Sequence, residues 1–122
     1  MVNDKLKNQK EDCIFCKIAN KEIKDEIIYE SDNFIVVPDL HPVGPGHCLI
    51  ISKRHYETVL DLPSSLGGEL LDVAKKQGFR FMKDEKAEGF NLFQNNFEAG
   101  GQVVMHYHLH AIPRRKGVKL LR

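Results

Sequence analysis

Three histidines alternate with other residues in His106-Tyr107-His108-Leu109-His110, and imidazole is the side chain best suited to act as nucleophile, base or acid near neutral pH. Residues 103–112 read as a strand, on which residues two apart share a face. That reading lines His106, His108 and His110 along one side and turns Tyr107, Leu109 and Ala111 to the other. At about 3.3 Å per residue His106 and His110 would lie roughly 13 Å apart, whereas an imidazole nitrogen binds zinc at about 2 Å. One ion cannot be held by all three, although neighbours such as His106 and His108 could share one. A row of this length suits an extended substrate with several oxygens and a leaving group, as in phosphoryl or nucleotidyl transfer. His108, flanked on both sides, is placed to attack phosphorus and carry a covalent intermediate, while its neighbours orient phosphate oxygens or supply a proton. A run of exposed strand histidines without a role is the plain alternative, and three in register on one face weigh against it.

A second chemistry-bearing spacing is Cys13-Ile14-Phe15-Cys16. In a reducing compartment a Cys-x-x-Cys serves metal or redox chemistry more often than a structural disulfide, and spacing alone leaves a metal site, a redox pair or two reduced core thiols open. Cys48, inside an apolar run, reads as a small buried hydrophobe.

The elements that must position these residues follow from pattern and punctuation. Asp12 can cap a short helix through residues 18–19. Residues 27–29 and 34–37 are β-branched or aromatic runs joined by the turn-forming segment 30–33, which predicts an antiparallel pair. Residues 38–47, with Pro42, Pro45, Gly44 and Gly46, form a loop before a strand over 48–52. After Pro63, with Ser64 and Ser65 as possible caps, Leu66, Leu70, Val73, Ala74, Phe81 and Met82 follow helical spacing. Gly67, Gly68 and Gly78 each weaken that helix by about 1 kcal/mol relative to alanine, so packing must hold it. Residues 90–93 form the next strand, and the loop 95–102 leads to the histidine strand. Consecutive strands point to an α+β fold, a five-stranded antiparallel sheet with one long helix and one short N-terminal helix.

The chain has 122 residues, 42% of them hydrophobic, enough for one domain, expected over 12–122 behind a mobile polar arm at 1–11. Its 18 basic and 17 acidic side chains leave a net charge of +1, which gives no global field for nucleic acid or a membrane surface, so an anionic ligand needs a local site. No apolar run approaches the roughly 18 residues of a membrane span, and the polar N-terminus does not resemble a signal peptide; a cytoplasmic location is expected. Arg114, Arg115, Lys116, Lys119 and Arg122 would suit a zinc-stabilised nucleic-acid binder. No aromatic stacking platform accompanies them, so they read as a solvated terminus.

The three histidines alternating with other residues resemble the signature of the histidine triad (HIT) family. The likeness extends through Asn95, Gly100, Gly101, Gln102 and Val104, the loop Pro42-Val-Gly-Pro-Gly-His47, and Cys13-Ile-Phe-Cys16-Lys17-Ile18, spanning nearly all of residues 12 to 114. The resemblance implies a nucleotide hydrolase or transferase in which His108 is nucleotidylated and water then releases a nucleoside monophosphate such as AMP or GMP. His110 matches the residue at the phosphate and leaving group, and His47 an upstream fourth histidine. Asn95 and Gln102 match residues that hold the catalytic histidine and the phosphate, and Asp39 the acid that binds ribose hydroxyls. Ile14, Phe15, Ile18, Val37 and Leu40 match the walls of the base pocket, and Gly101, Val103 and Val104 further nucleotide contacts. It also implies a structural zinc on Cys13, Cys16, His55 and His106, with no cofactor needed for the chemistry, and a homodimer.

Two departures stand out. Phe97 occupies a turn position that usually takes glycine geometry, and Val103 stands where many relatives have a serine that bonds a substrate oxygen. Within the family the Cys-x-x-Cys start and the 42–47 loop resemble the purine nucleoside phosphoramidase branch, whereas Ala111-Ile-Pro113-Arg114 is closer to dinucleoside polyphosphate hydrolases. A non-catalytic nucleotide-binding regulatory module is the alternative of another class, and retention of all four histidines argues against it.

Overall fold

The structure, a computed structural model, describes residues 10, 12–24 and 26–118. The expected polar arm lies outside these residues except for Lys10, as do Lys119 and Arg122. Helix α1 (Ile14–Ala19) is followed by β1 (Tyr29–Glu30), β2 (Phe34–Pro38), β3 (Cys48–Ser52), helix α2 (Gly67–Lys83), β4 (Gly89–Phe93) and β5 (His108–Arg114). The strands form one five-stranded antiparallel sheet in the order β1-β2-β3-β5-β4, so the fold is α+β. No helix of the described residues is long and apolar enough to cross a membrane.

Alternation along the strands gives the sheet two dry faces. Phe34, Val36, Cys48, Ile50, Tyr107 and Ala111 pack against Val73, Ala74 and Phe81 of α2. Ile35, Val37, Leu49 and Ile51 pack instead against Phe15 and Ile18 of α1. The register pairs Ile51 with His108 and Leu49 with His110, which places both histidines on the α1 face.

Several details depart from the sequence-based expectation. Cys13, not Asp12, caps α1, its Sγ accepting from the Cys16 N–H at 3.4 Å. Ser64 and Ser65 do not cap α2 but form a 3-10 turn with Leu66 ahead of it. Met82, 44% exposed, faces away from the core, and Gln77 and Gly78 take buried positions on the helix. Gly78 is required by packing: a Cβ there would lie 2.6 Å from the Phe90 ring, so its missing side chain lets α2 approach β4. Glu69 on the first turn of α2 accepts from Ser31 Oγ and from the Asn33 backbone and amide, tying the helix to the β1–β2 turn.

The largest departure concerns the histidine strand. Regular pairing begins only at His108, and residues 103–107 are irregular. The His106 N–H donates to Val104 O at 2.8 Å, a three-residue turn that swings His106 out of line with the other two histidines.

Candidate functional site

Beyond the C-terminal end of β2 and above β3 and β5 lies a cavity of about 470 Å3, in the size range of small-ligand pockets. Ile14, Phe15 and Ile18 of α1, Val37 of β2 and Leu40 of the following loop supply apolar wall. Asp39, His47, His108 and His110 supply polar groups, and Asn95, Gly101, Val103 and Val104 contribute the loop before β5. Thus every residue expected at the nucleotide site lines the cavity except Gln102.

Gln102 is turned away from the cavity because its amide is occupied. Its Oε1 accepts from the Phe97 N–H at 2.7 Å, and its Nε2 donates to Glu57 O and Val104 O. These bonds hold Phe97 at φ 65°, ψ 163°, a conformation that ordinarily demands glycine. The turn therefore keeps a glycine-like backbone despite the phenylalanine. Asn95 does reach the cavity, but its amide donates to Gly101 O at 3.3 Å rather than to a histidine.

Sequence reasoning missed Pro38, His41, Val43, Leu49 and Phe93 as lining residues. Phe93 and Leu49 were accessible in principle, since each is the register partner of His110 on a neighbouring strand. The Phe93 ring meets His110 edge-on with centroids 4.4 Å apart.

Backbone groups assign the histidine tautomers. The His106 carbonyl can only accept, so the 2.7 Å bond to His108 Nδ1 places the hydrogen on that nitrogen and leaves the Nε2 lone pair free. On His47 the assignment is reversed: the Val43 N–H donates to its Nδ1 at 3.1 Å, so Nε2 carries the hydrogen. That Nε2–H donates to His110 Nδ1 at 2.9 Å, with Asp39 Oδ2 3.2 Å away, and the neutral His110 therefore carries its own hydrogen on Nε2. Two neighbouring imidazoles on one strand thus hold opposite tautomers, one presenting a lone pair and one a proton. Asp39, His47 and His110 also place three ligand atoms close together, but the hydrogen on His47 Nε2 makes this a hydrogen-bond chain rather than a metal cradle.

Burial favours the neutral rings. It lowers the pKa of His108, against the opposing bond to the His106 carbonyl. It brings His110 down to about 4, helped by His108 and His47. At neutral pH His108 is consequently a neutral imidazole with a free Nε2 lone pair.

His106 belongs to a different cluster. Its ring is fully buried, and its Nε2–H donates to Ser52 O at 2.6 Å, which turns Nδ1 toward Cys13 Sγ at 3.3 Å and Cys16 Sγ at 3.4 Å. His55 Nδ1 lies 3.3 Å from Cys16 Sγ. A tetrahedral ion with bonds of about 2.0–2.3 Å needs ligand atoms roughly 3.3–3.8 Å apart, so these spacings fit. Backbone N–H groups of Lys10 and Cys16 donate to the two sulfurs, as suits thiolates. Without a cation, burial first of all raises Cys16 to about 11, so the thiolate form calls for a positive partner in this pocket. The four residues could hold a metal.

The family model of the HIT domain matches residues 20–117. The chain belongs to the HIT domain family. This HIT protein is 36% identical over 107 residues to the adenosine 5'-monophosphoramidase of Candida albicans, a match covering 84% of this chain and 70% of that protein. It is 37% identical over 105 residues to an adenylylsulfatase of Arabidopsis thaliana, covering 86% of this chain but only about half, 53%, of the plant protein. Its fold superposes on the crystal structure of a zinc-bound histidine triad family protein from Mycobacterium smegmatis with a TM-score of 0.83 and 34% identity, covering 90% of this chain and 80% of that one.

Proposed function

We propose that the protein hydrolyses purine nucleoside 5'-phosphoramidates through a nucleotidyl intermediate on His108. The observation that carries this reading is the opposed tautomers of His108 and His110 inside one cavity. A phosphorus atom seated between them would meet a lone pair on one side and an N–H donor on the other. As His108 Nε2 forms its bond to phosphorus, the P–N bond to the leaving amine breaks. The bound phosphate's negative charge raises the proton affinity of His110, so the ring takes up a proton from solvent as substrate binds, and this imidazolium hands a proton to the departing nitrogen and returns to the neutral form. Water then attacks phosphorus, the bond to His108 breaks, and the water proton returns to His110. The apolar wall of Ile14, Phe15, Ile18 and Leu40 suits a purine, and Asp39 suits ribose hydroxyls. The phosphoramidase relative supports this choice of substrate.

The same reading assigns zinc to Cys13, Cys16, His55 and His106, in a structural role since all four positions would be filled by protein. Such an ion would clamp α1 to the segment before β5. It also includes a homodimer joined along β4, an edge strand exposing Phe90, Leu92 and Phe93. Light scattering would measure that mass, and a monomer would remove the dimer from the reading.

The decisive experiment incubates the purified protein with adenosine phosphoramidate and, separately, with diadenosine tetraphosphate. AMP release from the phosphoramidate and an adenylyl adduct on His108 in quenched samples are the expected results. Undiminished turnover by His108→Ala would sink the mechanism. Preference for the tetraphosphate would move the protein to the dinucleoside polyphosphate hydrolases.

A further inference from the structure

A second hollow, of about 400 Å3, adjoins the histidine cavity and shares Ile14, Val103 and Val104 with it. Val103 is 90% exposed, so the boundary between the two is a low ridge over which a bound molecule can extend. Beyond the ridge the walls change character: Lys10, Asp12, Glu57 and Met105 line the second hollow, beside His55 and Cys13 of the metal cluster. A larger hollow of about 810 Å3 also touches the cavity, sharing Pro38, Asp39, Val43 and His47 with it. A substrate held by its nucleoside against Phe15 and Leu40 can continue past its phosphorus over the exposed Val103.

We propose that this adjoining hollow seats the leaving group and favours amines that carry a positive charge beyond the scissile nitrogen. The proposal rests on the phosphoramidase reading and adds the chemical class of the amine to it. Two carboxylates, Asp12 and Glu57, face one ammonium, Lys10, whose Nζ lies 3.4 Å from Glu57 Oε2. That surplus of one negative charge attracts a cationic tail and repels an anionic one. Val103 offers no hydroxyl, so at this point the chain contributes shape rather than a hydrogen bond. The amine, once its bond to phosphorus breaks and it has taken the proton from His110, departs into solvent through the same opening.

The test uses the metal-loaded protein and three adenosine phosphoramidates, built on 1,4-diaminobutane, butylamine and 4-aminobutyrate, which differ chiefly in tail charge. Exposed charge pairs are worth little individually, so kcat/KM is expected to be only about fivefold higher for the cationic tail than for the neutral one and roughly tenfold higher than for the acidic one. Raising the salt concentration should shrink both ratios. The double variant Asp12→Asn/Glu57→Gln should bring them toward one, and Lys10→Gln should widen them. This opposite pair of shifts would not arise from a general loss of structure. Metal content and Tm measured on each variant guard against damage to the neighbouring cluster. Equal kcat/KM for the three amides, or ratios that the variants leave untouched, would overturn this proposal while leaving the phosphoramidase reading intact. No turnover of any of the three would overturn both.

Discussion

Two histidine clusters lie side by side and are built from overlapping sequence, yet they are organised in opposite ways. At Cys13, Cys16, His55 and His106 the donor atoms converge on a common centre, and Ser52 O fixes the His106 ring from behind. At His47, His108 and His110 a backbone N–H fixes the hydrogen of His47, a carbonyl fixes that of His108, His47 passes its assignment on to His110, and the rings open into a cavity. Residue type does not separate the two clusters. The position of the backbone polar groups does, because it decides whether lone pairs face one another or alternate with protons.

The strongest way to break this contrast is to exchange the damage. His108→Ala should lower kcat/KM for adenosine phosphoramidate by at least about a thousandfold while metal content stays that of the unaltered protein. A variant that lost metal as well would show that the clusters are not separable. His47→Gln, which removes the ring holding the tautomer of His110, should cost about ten- to hundredfold in kcat/KM. Smaller losses would mean that His110 finds its orientation without it.

Removing metal by chelation, or substituting His106→Ala, should lower Tm by roughly 10 °C, because ligation free energy at a structural site is folding free energy. Calorimetry with and without chelator reads this directly, and a coincident Tm would count against a structural ion.

A subtler comparison is acid stability. His47, His55, His106, His108 and His110 have pKa values lowered chiefly by burial, His106 and His110 to about 4. Between pH 6.5 and 4 the unfolded chain's histidines bind protons that the folded ones refuse, so the histidine contribution to stability should fall as pH drops through that window and level off below it. Tm measured from pH 7 to 4 on metal-free protein should decline by several degrees, and a flat profile would contradict the buried neutral rings. The smallest expected effect is at Phe97, where Phe97→Gly should raise stability by about 1 kcal/mol by relieving the positive φ. Urea titration would detect it, and destabilisation would show that the phenyl ring contributes more than the strain removes.

Much of this was legible in the sequence because strands and helices announce themselves through period. The five strands, the loop at 38–47, the two helices and the burial of Cys48 follow from alternation, helical spacing and punctuation. What could not be read were contacts made across the chain. Gln102 carries a polar amide beside the expected phosphate site, and only the positions of Glu57 O and the Phe97 N–H reveal that it braces a loop. Gly78 looks like a helix weakness until the Phe90 ring stands against it. His106 illustrates the limit of periodicity: alternation assigns it to the strand row, while the turn at Val104 and the thiols of α1 remove it. Spacing had offered it a metal shared with His108, and the family resemblance had grouped it instead with Cys13, Cys16 and His55.

The carbonyl that fixes the hydrogen on His108 belongs to His106, whose ring meets a thiol 93 positions earlier in the chain. The hydrogen on His108 is therefore held by a backbone that is itself held by a contact between α1 and the segment before β5. Because β5 lies between β3 and β4, a chain cut ahead of it would lose an interior strand of the sheet together with the histidines.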